Sequence, residues 1–185
     1  MEKYISDIWL SGKGHYTNRE KMYMDYFEKF IPNFKGKKVL EIGPGNGKFA
    51  HLMIEKYKIK EYEILDLESN IFDSVNYINS LNLKTDFKYT FAQNYENLLK
   101  ERYDLIVSNI CIPETPKEYR ENLLNNLIPN CRNSMIIGQL VGSWVKDDEY
   151  KNWIINLFNK NFDIVKIELT NYKNCHVLTG TKKLK

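Results

Sequence analysis

Apolar residues along this chain follow two alternating spacings, short continuous runs and recurrences every three or four residues, which read in turn as strands and helices. The first recurrence sets Tyr23, Tyr26, Phe27, Phe30 and Ile31 on one face of a helix. That helix begins near Thr17, where Thr17-x-x-Glu20 makes a capping box, and ends at Pro32. Residues 38–42 predict a buried strand, followed by a glycine loop and a helix over residues 48–57. A second strand is predicted over 62–67, then a helix with Ile71, Val75 and Ile78 on one face, then a short third strand over 87–91. Residues 103–108 are continuously apolar in the manner of a strand inside a parallel sheet.

Thr115-Pro116-Lys117-Glu118 offers an N-cap, a proline at the first helical position and a capping glutamate for a helix running to about Leu127, before Pro129. A fifth strand is predicted over 135–140. Asp147 is placed to cap a helix carrying Tyr150, Trp153, Ile154, Leu157 and Phe158. The β-patterned runs 162–169 and 176–181, joined by residues 170–174, suit an antiparallel pair. Repeated strand–helix units require right-handed crossovers and a mainly parallel sheet covered on both faces. The reading is therefore α/β, with an antiparallel hairpin closing the sheet.

Composition agrees with one packed domain. At 185 residues, 43% hydrophobic and 14% aromatic, the chain has enough core without disulfides or metal. Its three cysteines, Cys111, Cys131 and Cys175, form no CxxC or Cys/His cluster, so no metal site is expected and a reducing compartment fits best. Net charge is +3, and only four of the 27 basic residues are Arg (Arg19, Arg102, Arg120, Arg132). The basic residues are scattered rather than striped, so a nucleic-acid partner is not expected. No run is long enough to cross a bilayer, and residues 1–10 lack a signal-like apolar core. The expectation is a cytoplasmic protein with no membrane partner, monomeric or homodimeric.

The most informative segment is Val39-Leu40-Glu41-Ile42-Gly43-Pro44-Gly45-Asn46-Gly47-Lys48-Phe49. Glycines at alternate positions between strand and helix allow positive φ and close backbone approach to a ligand. A nicotinamide or flavin site would want its third glycine at position 48, which is Lys, and a Walker A loop needs Ser or Thr at position 49, which is Phe. The Glu-x-Gly-x-Gly-x-Gly form of residues 41–47 instead resembles motif I of the class I S-adenosylmethionine-dependent methyltransferases. Three further positions match that family: Asp66 ending the second strand, Gln93 and Asn94 after the third, and Tyr103-Asp104-Leu105-Ile106-Val107-Ser108-Asn109 as the fourth-strand segment. The likeness covers residues 35–181.

The resemblance implies a Rossmann-like three-layer sandwich with a seven-stranded, mostly parallel sheet. It makes residues 1–185 one domain, with residues 1–34 as an N-terminal lid and helix segment over a core of 35–181. It implies S-adenosylmethionine as cofactor, held by Glu41, Gly43, Pro44, Gly45, Asn46, Gly47, Asp66, Leu67, Gln93, Asn94 and Asn109. Asp66 would accept hydrogen bonds from the ribose hydroxyls. Gln93 departs from the Asp often found beside the adenine, which alters the contact while keeping a polar group there.

The acceptor is less defined. Asn109-Ile110-Cys111-Ile112 is not the Asn/Asp/Ser-Pro-Pro-Tyr/Phe run of amino-group methyltransferases, which argues against adenine or glutamine acceptors. A small-molecule acceptor is expected: a sugar, a nucleotide-linked sugar or a phosphorylated metabolite, methylated on oxygen. His15, Tyr16 and Glu114 are the candidate catalytic groups, and Lys13, Arg19 and Trp144 the candidate acceptor contacts. His51 and His176 read as packing residues. The alternatives are a catalytically silent domain that binds the cofactor and acts through partners, or an RNA or protein methyltransferase.

Overall fold

The computed structural model describes residues 35–109, 111–140, 147–169 and 176–183, with the backbone alone at 139 and 140. The predicted first helix, His15, Tyr16, Lys13, Arg19 and Trp144 lie outside the described residues.

The chain alternates β1 (Lys38–Ile42), α1 (Lys48–Tyr57), β2 (Glu61–Asp66), α2 (Glu68–Ser80) and β3 (Asp86–Phe91). A 3-10 segment (Ala92–Lys100) leads into β4 (Tyr103–Asn109), the single turn α3 (Cys111–Glu114) and α4 (Lys117–Leu127). After a turn at Ile128–Asn130 come β5 (Cys131–Leu140), α5 (Asp148–Asn161), β6 (Ile164–Leu169) and β7 (His176–Thr181). The seven strands form one sheet in the order β3-β2-β1-β4-β5-β7-β6. Neighbours through β5 are parallel, and β7 runs antiparallel between β5 and β6.

Strand alternation explains the two-sided core. On one face Val39, Tyr62, Ile64, Leu105, Val107 and Ile136 pack with Phe49, Met53 and Ile54 of α1 and Ile71, Val75 and Ile78 of α2. On the other, Leu40, Ile42, Ile106, Met135, Ile137 and Leu178 meet Leu123, Leu124 and Leu127 of α4 and Ile154 and Phe158 of α5. The second face also explains Gly180 in β7: a Cβ there would stand 2.3 Å from the Phe162 ring and 2.8 Å from Phe158.

Asp147 caps α5 as expected, its Oδ1 accepting from the Tyr150 N–H at 3.0 Å. The capping box proposed at Thr115 does not form. Pro116 occupies the N-cap position of α4 with no side-chain cap bond. The Thr115 hydroxyl instead donates to the Ile112 carbonyl at 2.8 Å. The turn α3, which the apolar pattern does not announce, sets the Ile112 carbonyl within reach of both the Thr115 N–H, at 3.3 Å, and its hydroxyl.

Two carboxylates are buried between strands. Glu41 accepts from the Tyr62 hydroxyl at 2.8 Å. Glu63 accepts from Tyr103 at 2.7 Å and from Thr90 at 2.8 Å. Burial, then Glu63 beside it, holds the Tyr103 phenol far above the usual range, so it remains a donor at any working pH. Tyr103→Phe strips a buried carboxylate of a donor and is expected to cost about 1–3 kcal/mol, read as a lower urea midpoint. An unchanged midpoint would mean that water replaces the phenol.

Candidate active site

In the order 3-2-1-4-5 the chain runs outward from β1 in one direction and then, from β4, in the other. The connections that leave the carboxyl ends of β1 and β4 therefore part to opposite sides, and a crevice opens where an α/β sheet receives its ligands. The structure has a cleft of about 710 Å³ there. Its floor is Glu41 to Asn46 with Phe49. One wall is Leu65, Asp66, Leu67 and Asn70, another Ala92 and Gln93, and the outer side runs from Asn109 through Cys111 and Glu114 to Thr115, Pro116 and Tyr119.

The glycine loop is shaped by backbone geometry. Gly43, Gly45 and Gly47 have φ of +73°, +59° and +76°, a region open to glycine and costly to other residues. Gly43 sits against Cys111: an added Cβ would lie 2.3 Å from the Cys111 Cβ and 2.7 Å from its Sγ. A Cβ on Gly45 would meet nothing within 4 Å, so the backbone there faces open cleft. Gly47 is buried and does not line the cleft. Its missing Cβ admits α2, since a methyl there would stand 3.2 Å from the Ser74 Cα.

Asp66 ends β2 with a carboxylate turned to the cleft. Its Oδ1 accepts from the Leu67 N–H at 2.7 Å. Burial pushes its carboxyl above the usual value of 3.8, while hydrogen bonds from the Leu67 backbone and the Asn70 side chain pull the other way. Across the cleft, both polar atoms of the Asn109 side chain are buried and meet no hydrogen-bond partner among the described residues. Such groups are rare in native proteins, and its place in the lining of a ligand-sized cleft makes Asn109 a candidate ligand contact.

The outer wall is tied down from both sides. The Tyr119 hydroxyl donates to the Ala92 carbonyl at 2.9 Å, and its ring meets Tyr95 edge-on at 5.5 Å. Gln93 reaches the Glu68 carboxylate at 3.3 Å. Burial raises the Cys111 thiol to about 12, helped by the charges of Asp66 and Glu114, so it stays protonated and is not a nucleophile.

A family model described as a methyltransferase domain matches residues 15–128, well over half of the chain. The chain belongs to the class I S-adenosylmethionine-dependent methyltransferases. No curated protein matches it by sequence. Among solved structures, the chain is similar to an O-methyltransferase family protein from Burkholderia thailandensis at a TM-score of 0.68 and 11% identity. That match covers 89% of this chain, which spans only 56% of the Burkholderia protein. It is also similar to magnesium protoporphyrin IX methyltransferase from Synechocystis PCC 6803, solved with bound SAM, at a TM-score of 0.66 and 12% identity, covering 94% of this chain and 88% of that one. At such identities the likeness is one of fold.

Of the residues singled out by sequence, the methyltransferase fold brings Glu41, Gly43, Pro44, Gly45, Asn46, Asp66, Leu67, Gln93, Asn109 and Glu114 to one cleft. Asn94 follows Gln93 but is not among the lining residues. It marks a kink in the 3-10 segment, with φ −111° and ψ 20°. Phe49, Asn70, Thr115, Pro116 and Tyr119 line the cleft without having been foreseen. Asn70, in the first turn of α2 and four residues beyond Asp66, could have been found from its place at the start of the helix that follows the acid. Tyr119 could not, because its place depends on how α4 packs beside the 3-10 segment. His51 has its Nδ1 2.9 Å from the Tyr77 hydroxyl and its Nε2 3.4 Å from Glu55, away from the cleft.

Among the described residues no three His, Cys, Asp or Glu side chains gather as a metal site, and no helix is long and apolar enough to cross a membrane.

Proposed function

We propose that this cleft holds S-adenosylmethionine and that the protein transfers its methyl group to an oxygen of a small polar metabolite, such as a sugar, a nucleotide-linked sugar or a phosphorylated compound. The observation that carries the reading is the pairing of Asp66 with the unpartnered Asn109 across a ligand-sized cleft at the sheet's switch point. The residues fit the cofactor. Asp66 offers a carboxylate to vicinal hydroxyls, Leu67 and Ala92 offer apolar surface to a purine, the open backbone at Gly45 admits close approach, and Asn109 can meet an amino-acid end.

Bound there, the cofactor supplies a methyl group on a sulfonium, with a thioether as leaving group. The protein's own work is then to align, to exclude water and to receive a proton. Glu114, exposed on the rim of the outer wall, is the described group best placed to accept a proton from an acceptor hydroxyl. His15 and Tyr16 are proposed to share that role, and Lys13, Arg19 and Trp144 to contact the acceptor. Gln93 is proposed beside the purine, and Gly47 and Asn94 support the loop and the turn that carry the contacts.

Methyl transfer to a panel of sugars, nucleotide-linked sugars and sugar phosphates tests the reading, with product detected by mass. A hydroxyl acceptor should be methylated, and Glu114→Gln should lower kcat about 100-fold or more while S-adenosylhomocysteine affinity stays within twofold. Cofactor binding without transfer to any compound would favour the silent binding domain instead. Transfer unaffected by Glu114→Gln would remove Glu114 from the mechanism.

A further inference from the structure

Ser74 is fully buried on α2, away from the cleft, yet its hydroxyl donates to the Gly45 carbonyl at 2.5 Å. The peptide bonds of the loop are trans, and in a trans peptide the carbonyl and the following N–H point in opposite directions. Pinning the Gly45 carbonyl back onto α2 therefore turns the Asn46 N–H away from α2. Both Gly45 and Asn46 line the cleft.

The remaining donors of the loop are already used. The Gly43 N–H goes to Leu65 at 2.8 Å, the Gly47 N–H to Pro44 at 3.1 Å and the Lys48 N–H to the Asn46 side chain at 3.2 Å. The N–H groups of Gly45 and Asn46 make no hydrogen bond to any described residue. Two adjacent free N–H groups in a positive-φ turn suit an anion.

We propose that Ser74 is a positioning residue that aims the Asn46 N–H at the ligand, and that Gly47 lacks a side chain so that α2 can come close enough for Ser74 to do so. This rests on the reading of the cleft as a cofactor site. The group met by the N–H pair is then the one anion of that ligand, its carboxylate. Ser74 touches neither ligand nor reacting atoms. It acts through one peptide plane, on the amino-acid end and not on the nucleoside end.

Calorimetric titration with two probes separates those ends: S-adenosylhomocysteine, which carries the carboxylate, and 5′-methylthioadenosine, which lacks the amino-acid end. In Ser74→Ala the first should bind about fivefold more weakly, the effect of one lost hydrogen bond, and the second within twofold of the wild type. A protein merely loosened by the substitution would lose both equally, and that result, or no loss of either, overturns the proposal. Ser74→Cys keeps the volume with a weaker donor, and serves if the alanine variant does not fold. Failure of wild-type protein to bind S-adenosylhomocysteine would instead overturn the cofactor reading on which the proposal stands.

Discussion

Asp66→Ala should abolish measurable cofactor binding at concentrations that saturate the wild type, with a loss of about 3 kcal/mol or more, roughly a hundredfold or beyond in affinity. The carboxylate ends β2 at the wall of the cleft, where vicinal hydroxyls would meet an ionised acceptor, and charge-assisted hydrogen bonds are the stronger kind. Alanine leaves both hydroxyls without that partner in a site from which water has been displaced. Calorimetry with S-adenosylhomocysteine measures it directly, and near-wild-type affinity would remove Asp66 from the site.

The same residue sets a pH dependence whose sign is unusual for an aspartate. Folding raises its carboxyl above the ordinary 3.8, chiefly by burial, so the folded chain binds the proton more tightly than the unfolded chain. Asp66 by itself therefore makes the fold less stable as pH rises through the window between its unfolded and folded values, and more stable as pH falls. Ligand affinity runs the other way, because the hydroxyls want the ionised acceptor. Affinity should decline with acidification at a higher pH than an unperturbed aspartate would give. Asp66→Asn should flatten that profile, and an unchanged acid limb would assign it to another group.

The second large effect is on stability. Gly43→Ala is expected to cost about 2–5 kcal/mol, a large part of what a domain of this size has. About 1–2 kcal/mol comes from forcing alanine to φ near +73°, and about 1–3 from driving its methyl into the Cys111 side chain at 2.3 Å. Gly45→Ala is the internal control. It shares the positive φ but has nothing within 4 Å, so it should show the first cost alone. Adding Cys111→Gly to Gly43→Ala should recover part of the steric cost, since the nearest remaining atom, the Cys111 Cα, is 3.6 Å away. Chemical denaturation of the four proteins checks the scheme. Equal losses for Gly43→Ala and Gly45→Ala would mean that the contact with Cys111 relaxes freely.

Most of the architecture was legible because it is written locally. β1 and α1 fall where the apolar pattern sets them, and β7 likewise, since a strand buried on both faces and a one-sided helix leave different spacings. Strand edges moved by a residue or more: β2 is Glu61–Asp66 rather than 62–67, and β5 starts at Cys131 rather than Met135. Ladder pairing with neighbours, and not local composition, decides where a strand stops. The Thr115 cap failed for a related reason. Its hydroxyl had a choice of partners, and the end of α3, invisible in the pattern, offered the better one.

What the sequence alone determined about this protein was the loop, the acid at the end of β2 and the alternation that forces a crossover sheet. Each depends on residue type at a fixed spacing within one strand–turn–helix unit. What the tertiary structure decided was which of those residues share a cleft. Only packing brings Cys111 against Gly43, ties Tyr119 to Ala92, leaves Asn109 without a partner among the described residues, and sets Ser74 against the Gly45 carbonyl of the loop. These pairs are joined through the sheet rather than along the chain. Their contacts follow from strand order and helix packing, which no local spacing encodes.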